Sequence, residues 1–204
     1  MEKKDTYKTI KKTSDGLYKD KGSKFISFAY PVSDEETIKE ILTELRKNYY
    51  DAHHHCYAWV LGYQKELFKF NDDGEPSGTA GKPIYGQILS HDLCNILIVV
   101  IRYFGGTKLG VRGLINAYKG AAKDVLDNSI IIENIIQNFY RVHFEYIHMN
   151  DVMRVMKEHE LTQHAHDFTM DCRLEFSVRL SQSDMVTDQL EKIHGVRVEF
   201  LEKK

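Results

Sequence analysis

The sequence predicts an α+β protein of two domains, 1–137 and 138–204, the second a ferredoxin-like β-α-β-β-α-β unit. Three observations carry this. Short apolar runs of period two alternate with amphipathic stretches of helical period. Around Asn134–Asn138 the character of the chain changes, and a complete new set of elements begins. That set fills about seventy residues, a plausible small domain.

Taken in order, the stretch to Lys24 is rich in lysine and is read as two exposed strands, 7–12 and 24–30. A turn at Ser14-Asp15-Gly16 separates them. Ser33 with Glu36 makes a capping-box pattern, and Ile38, Ile41, Leu42 and Leu45 follow at helical spacing. Residues 55–61 are apolar on both alternating faces, which predicts an interior strand, and a short strand follows at 67–70. The segment 71–81 has no periodicity, carries glycines and Pro76, and is expected to be loop. Residues 95–103 form the most hydrophobic strand, expected to be central and covered on both faces. Phe104-Gly105-Gly106 breaks it, and a helix then carries Leu114, Ile115, Tyr118, Ala121, Ala122, Val125 and Leu126 on one side.

In the second domain Tyr140, Val142, Phe144 and Tyr146 alternate with polar residues, as expected of a half-buried strand. Asn150 is read as the cap of a short helix bearing Val152, Met153 and Met156. A weak strand follows near 163–168. Cys172, Leu174, Phe176, Val178 and Leu180 alternate with polar neighbours. Ser183 opens a helix that Gly195 ends, and Val196, Val198 and Phe200 form a last strand.

Bulk properties narrow the function classes. A formal net charge of −2 gives no global pull toward nucleic acid or anionic membrane, so any polyanion site must be a local patch. Cys56, Cys94 and Cys172 are far apart and lack the short spacing of a zinc knuckle or a redox pair. The longest apolar run, 96–101, is too short to span a bilayer, and no signal-peptide pattern follows the N-terminus. A cytoplasmic protein without membrane contact is the expectation.

Two constellations could carry chemistry. The first is a strand, a glycine turn and a helix start holding Arg102, Gly105, Gly106, Lys108, Gly110 and Arg112. Helix N-termini present free amides and partial positive charge, and nearby cations add charge-assisted hydrogen bonds to phosphate. From Arg102 to Lys123 there are five basic residues and no acidic one. The competing reading is a tight crossover whose cations are merely solvated. The second is Asp72, Asp73 and Glu75 in the glycine-rich loop. Clustered carboxylates suit magnesium, usually with substrate phosphates completing the shell, yet Asx residues also build turns without a ligand. His53-His54-His55-Cys56 cannot converge as a set, because neighbours on a strand point to opposite faces. No catalytic triad and no confident metal site can be read, and no cofactor beyond magnesium is suggested.

The runs Asp72-Asp73-Gly74-Glu75-Pro76-Ser77-Gly78-Thr79-Ala80-Gly81-Lys82-Pro83, Arg102-Tyr103-Phe104-Gly105-Gly106 and Lys108-Leu109-Gly110 resemble the signature of the IMPACT family, including its bacterial YigZ-like branch. Lys21-Gly22-Ser23-Lys24-Phe25-Ile26 and His54-His55-Cys56-Tyr57-Ala58 fit the same pattern. Arg112 stands where that pattern has glycine, Asn116 where it has a basic residue, and His53 where it has a small hydroxyl residue. The resemblance implies an N-terminal domain like domain four of elongation factor G and a domain of a small-subunit ribosomal protein. It also implies kinship with eukaryotic translational regulators that bind the activator of a starvation-responsive kinase. The leading expectation is therefore a non-catalytic, translation-linked protein that engages RNA, the ribosome or a translation factor through the Asp72–Gly81 and Arg102–Gly113 loops. The alternatives are a magnesium-dependent hydrolase of phosphate esters and a purely protein-binding regulator.

Overall fold

In the computed structural model, which describes residues 5–169 and 171–203, the chain divides into two units. One runs from Tyr7 to Asn134. The other joins Asp5 and Thr6 to the chain from Ile135 onward. Among the described residues the strands form a two-stranded, a four-stranded and a five-stranded sheet.

The first unit holds β1 (Thr6–Ile10) from its second residue, β2 (Ser14–Asp20), β3 (Ser23–Pro31), α1 (Glu35–Asn48), β4 (His54–Leu61), β5 (Leu67–Asn71), α2 (Gly81–Ser90), β6 (Ile96–Tyr103), α3 (Gly110–Asp127) and β7 (Ile131–Ile135) up to its last residue. Its main sheet has the order β2-β3-β6-β4-β5, antiparallel throughout. The period-two alternation of β6 sorts two cores. Ile96, Ile98 and Val100 pack with Phe25, Ala58, Ile84, Ile88 and the buried side of α3. Leu97, Val99 and Ile101 pack with Tyr57, Trp59, Ile38 and Leu45. Both faces of the strand are thus buried, as its sequence requires.

Several local expectations are corrected. Ser14-Asp15-Gly16 is strand, not turn: β2 pairs in register with β3 from Ser14↔Ala29 to Asp20↔Ser23. The turn lies at Lys21-Gly22, whose φ values of 43° and 81° suit a two-residue hairpin. Helix α1 is capped by Asp34, not by Ser33. Asp34 Oδ1 accepts from the Thr37 amide at 2.8 Å, and Glu35 and Glu36 occupy the positive end of the helix dipole. Helix α2, absent from the sequence reading, begins where the glycine-rich loop ends.

The second unit runs β8 (Gln137–Glu145), α4 (Met149–Glu158), β9 (Thr162–Asp167), β10 (Asp171–Arg179), α5 (Ser183–Glu191) and β11 (Arg197–Lys203). This is a β-α-β-β-α-β order with sheet order β11-β8-β10-β9. A 3-10 turn precedes each helix, so α4 starts at Met149, one residue before the expected cap Asn150. Val142, Phe144, Leu174 and Phe176 meet Val152, Val155, Val186 and Leu190 in one core. The other face of the sheet carries polar pairs, the ion pair of Arg141 with Glu175 at 2.6 Å and the contact of His143 with Glu199 at 3.2 Å. Asp5 is fastened to this unit. Its carbonyl accepts from the Ile136 amide, and its carboxylate from Arg179 and Ser181.

No helix among the described residues is long and apolar enough to cross a membrane. None of the three cysteines is in a disulfide, and all are buried.

Candidate functional site

The loop between β5 and α2 is organised by one side chain. Asp72 Oδ1 accepts from the amides of Ala80 and Gly81 at 2.9 and 2.8 Å, and Oδ2 from Gly78 at 2.8 Å. It supplies the N-terminal cap that α2 lacks locally, since Ala80 has no capping side chain. Asp73 turns elsewhere, accepting from the His55 amide at 2.6 Å and from Arg46 at 2.7 Å. Burial alone would push the Asp73 carboxyl up, but Arg46 and the His55 amide outweigh it and hold the group below its ordinary value. Glu75 is buried and accepts from Arg102 Nη1 at 2.6 Å and from the Tyr118 hydroxyl at 2.8 Å.

The three carboxylates therefore face three different sets of internal donors. Among the described residues no three His, Cys, Asp or Glu side chains are grouped so as to hold an ion. Asp72, Asp73 and Glu75, the loop expected to hold magnesium or a partner, bond instead to backbone amides, Arg46, Arg102 and Tyr118.

Arg102 also takes a different place from the one expected. As the penultimate residue of β6 it points inward, its side chain only 7% exposed, against a Glu75 side chain 4% exposed. Its guanidinium lies 5.6 Å from the Phe25 ring centroid and 5.7 Å from that of Phe104. Behind Glu75 the chain of contacts continues inward, because the one proton of the Cys56 thiol is within reach of both the Tyr118 oxygen at 3.3 Å and the Asp72 carbonyl at 3.0 Å. Burial pushes the Cys56 thiol and the Tyr118 hydroxyl far up, so both stay protonated and act as donors. The histidines frame this network without joining it as ligands. His54 Nδ1 donates to the Asp73 carbonyl at 2.8 Å, and burial, then the charge of Arg46, pushes buried His55 down. Sequence reasoning missed the Cys56–Tyr118–Glu75–Arg102 chain. Its one signal was an arginine ending an otherwise apolar strand.

The turn after β6 is fixed by close backbone contact. A Cβ on Gly105 would stand 1.9 Å from the Gly22 carbonyl carbon, and the Gly105 amide donates to Ser23 Oγ at 3.2 Å. The β2–β3 turn with Lys21 thus abuts Phe104-Gly105-Gly106, and Lys24 sits opposite Tyr103 in the sheet. Tyr103 itself bonds Asp51 at 2.7 Å, which, with burial, pushes its hydroxyl up to about 12. Beyond the turn Lys108 and Arg112 are exposed, and the first turn of α3 has no acidic residue and no side-chain cap. Gly106 and Gly110 have positive φ, and nothing lies within 4 Å of where their side chains would be, so bare backbone faces outward there. Phe104 is 52% and Val111 58% exposed. Between this helix start and the Glu75–Arg102 pair lies a cavity of about 340 Å³. Of the residues expected at an anion site, Gly105, Gly106, Lys108, Gly110 and Arg112 stand on one exposed turn and helix start, while Arg102 stands beneath them in an ion pair.

Comparison with known proteins bears on this surface. A family model described as the Impact N-terminal domain matches residues 21–126, which contain both loops. The IMPACT family member YvyE of Bacillus subtilis is 33% identical over 153 residues, 75% of this chain and 70% of its own length. The IMPACT family member YigZ of Escherichia coli is 41% identical over 108 residues, so this chain matches about half of that relative, 53% of its length. A crystal structure described as that of a hypothetical protein superposes with a TM-score of 0.71 at 25% identity, covering 97% of this chain and 98% of the other.

Proposed function

The chain belongs to the family defined by the Impact N-terminal domain, and we propose that it serves translation-linked regulation in the cytoplasm by binding single-stranded RNA, not by catalysis. The contact surface is the Phe104–Arg112 turn and helix start, backed by the Asp72–Gly81 loop. The observation that carries this is an exposed aromatic ring, Phe104, set beside exposed Lys108 and Arg112 at a helix start free of acidic residues. Single-stranded nucleic acid is held by that combination: cations for the backbone and an aromatic face for a base. The hydrolase reading loses support because the carboxylates it needs are engaged internally. The β-α-β-β-α-β order and sheet order of the second unit support a ferredoxin-like reading. The family resemblance supports likening the first unit to domain four of elongation factor G.

The test is titration of single-stranded RNA against the full chain over a range of salt. Wild-type log K should fall by about 0.7 per phosphate contact for each log unit of salt. The variant Lys108→Glu/Arg112→Glu should bind more weakly, with a slope shallower by about two contacts, roughly 1.4. Lys157→Glu/Lys192→Glu, the same change of net charge on exposed residues of the second unit, should leave binding nearly unchanged. RNA binding that is absent, or indifferent to salt, refutes the reading and leaves a protein partner as the occupant of this surface.

A further inference from the structure

We infer that the cavity beside the first turn of α3 is a pocket for one nucleotide unit, with the base inside and the phosphate at the rim. This deepens the reading of the surface as an RNA contact and names what it grips. The walls are apolar and include a ring: Phe104, Leu109, Val111 and Leu114 line the space. The inner end is polar in a specific way. Arg102 Nε is buried with no hydrogen-bond partner, although Nη1 of the same group is paired. Glu75, which lines the cavity together with Arg102, accepts both of its hydrogen bonds on Oε1, from Arg102 and Tyr118, and neither on Oε2.

A buried unpaired donor is costly unless a ligand pairs it. The end of the apolar slot is thus lined by one residue with an unpaired donor and one with an unused acceptor oxygen. The edge of a nucleobase offers the complement, an N–H next to a nitrogen or oxygen lone pair, on a flat ring that apolar walls accept. The mouth suits the other part of a nucleotide. Lys108 and Gly110 line it, the first-turn amides of α3 lack intrahelical partners, and no acidic side chain stands in that turn. The occupant could be free mononucleotide or a unit splayed from single-stranded RNA, and the same groups would read either.

The experiment records two-dimensional amide NMR of the full chain while adding, in turn, the four nucleoside 5′-monophosphates, inorganic phosphate and a short single-stranded oligonucleotide. At least one monophosphate is expected to shift both the Arg102 Nε–H resonance and the amides of residues 110–112. Inorganic phosphate is expected to shift the amides alone. Phe104→Ala, a change at an exposed ring, should weaken nucleotide binding by roughly 5- to 150-fold, the loss expected for one base–aromatic stack. Leu109→Phe, which fills the slot, should abolish the Arg102 shift while preserving the dispersion of the spectrum. Oligonucleotide binding that leaves the Arg102 resonance unmoved, together with silence toward mononucleotides, overturns the pocket and spares the surface. A mononucleotide that moves Arg102 while RNA fails to bind upholds the pocket and overturns the RNA reading. Equal nucleotide affinity in folded Leu109→Phe also overturns the pocket.

Discussion

Removing the Glu75 carboxylate should be among the most destabilising single changes in the first unit. In Glu75→Ala the Arg102 guanidinium, 7% exposed, keeps its charge but loses the oxygen 2.6 Å away, and the Tyr118 hydroxyl loses its acceptor. Breaking a buried ion pair from one side costs about 3–5 kcal/mol, because the remaining charge is left without compensation. The small residual exposure of the two side chains, 7% and 4%, favours the lower end, about 3 kcal/mol. Arg102→Ala should cost a similar amount. The double change Glu75→Leu/Arg102→Met should cost far less than the sum, since a buried pair replaced together by apolar groups is often near neutral. The chain has a single tryptophan, Trp59, buried on the opposite face of the same sheet, so its fluorescence reports unfolding of this unit. With a urea slope of about 1–3 kcal/mol/M, the Glu75→Ala midpoint should fall by roughly 1–3 M at unchanged slope. Single changes that cost under about 1 kcal/mol, or that simply add in the double variant, would refute the buried pair.

Three further outcomes are expected. His55 has a lowered folded pKa through burial and the Arg46 charge, so between its ordinary 6.5 and that lower value the unfolded chain binds more protons. Its contribution to stability is complete above about pH 6.5 and is lost as pH falls through the window; His55→Phe should flatten the urea midpoint against pH there, and an unchanged slope would count against it. Gly105→Ala forces a Cβ into the Gly22–Ser23 backbone and should cost at least about 1–3 kcal/mol, whereas Gly106→Ala meets no atoms and should cost only the strain of positive φ, about 1 kcal/mol; equal midpoints for the two would refute that packing. The buried thiols of Cys56, Cys94 and Cys172 should resist a thiol reagent in the native protein at pH 8 and react once urea unfolds it, which absorbance kinetics would follow; rapid reaction of Cys56 in the native state would contradict its burial.

What was legible in the sequence depended on whether the signal was local. Strand β6 declared itself because it is buried on both faces, and β8 and β10 because one face is buried and the other carries Arg141, His143 and Glu175. Strand β2 was hidden by its exposure: one lysine, a glycine and two aspartates carry no period-two signal, and only pairing with β3 makes it a strand. Helix α2 was hidden for another reason. Its cap comes from Asp72, eight and nine residues upstream of the amides it binds, so no capping residue marks its start. At the site, the glycines and the cations Lys108 and Arg112 could be picked out by residue type. The partnership of Glu75 with Arg102, 27 positions apart, could not, because it exists only once β6, the loop and α3 are assembled.

The fastening of Asp5 sets a clock on biosynthesis. Asp5 emerges before Arg179, which holds its carboxylate and lies 174 positions later. At roughly 5–20 residues per second the interval is roughly 9–35 s. Throughout it the intervening unit, Tyr7 to Asn134, can emerge and acquire its core while both ends of the tether remain unmet. A nascent chain halted before Arg179 would carry a finished sheet around Trp59 and an Asp5 carboxylate still without that partner.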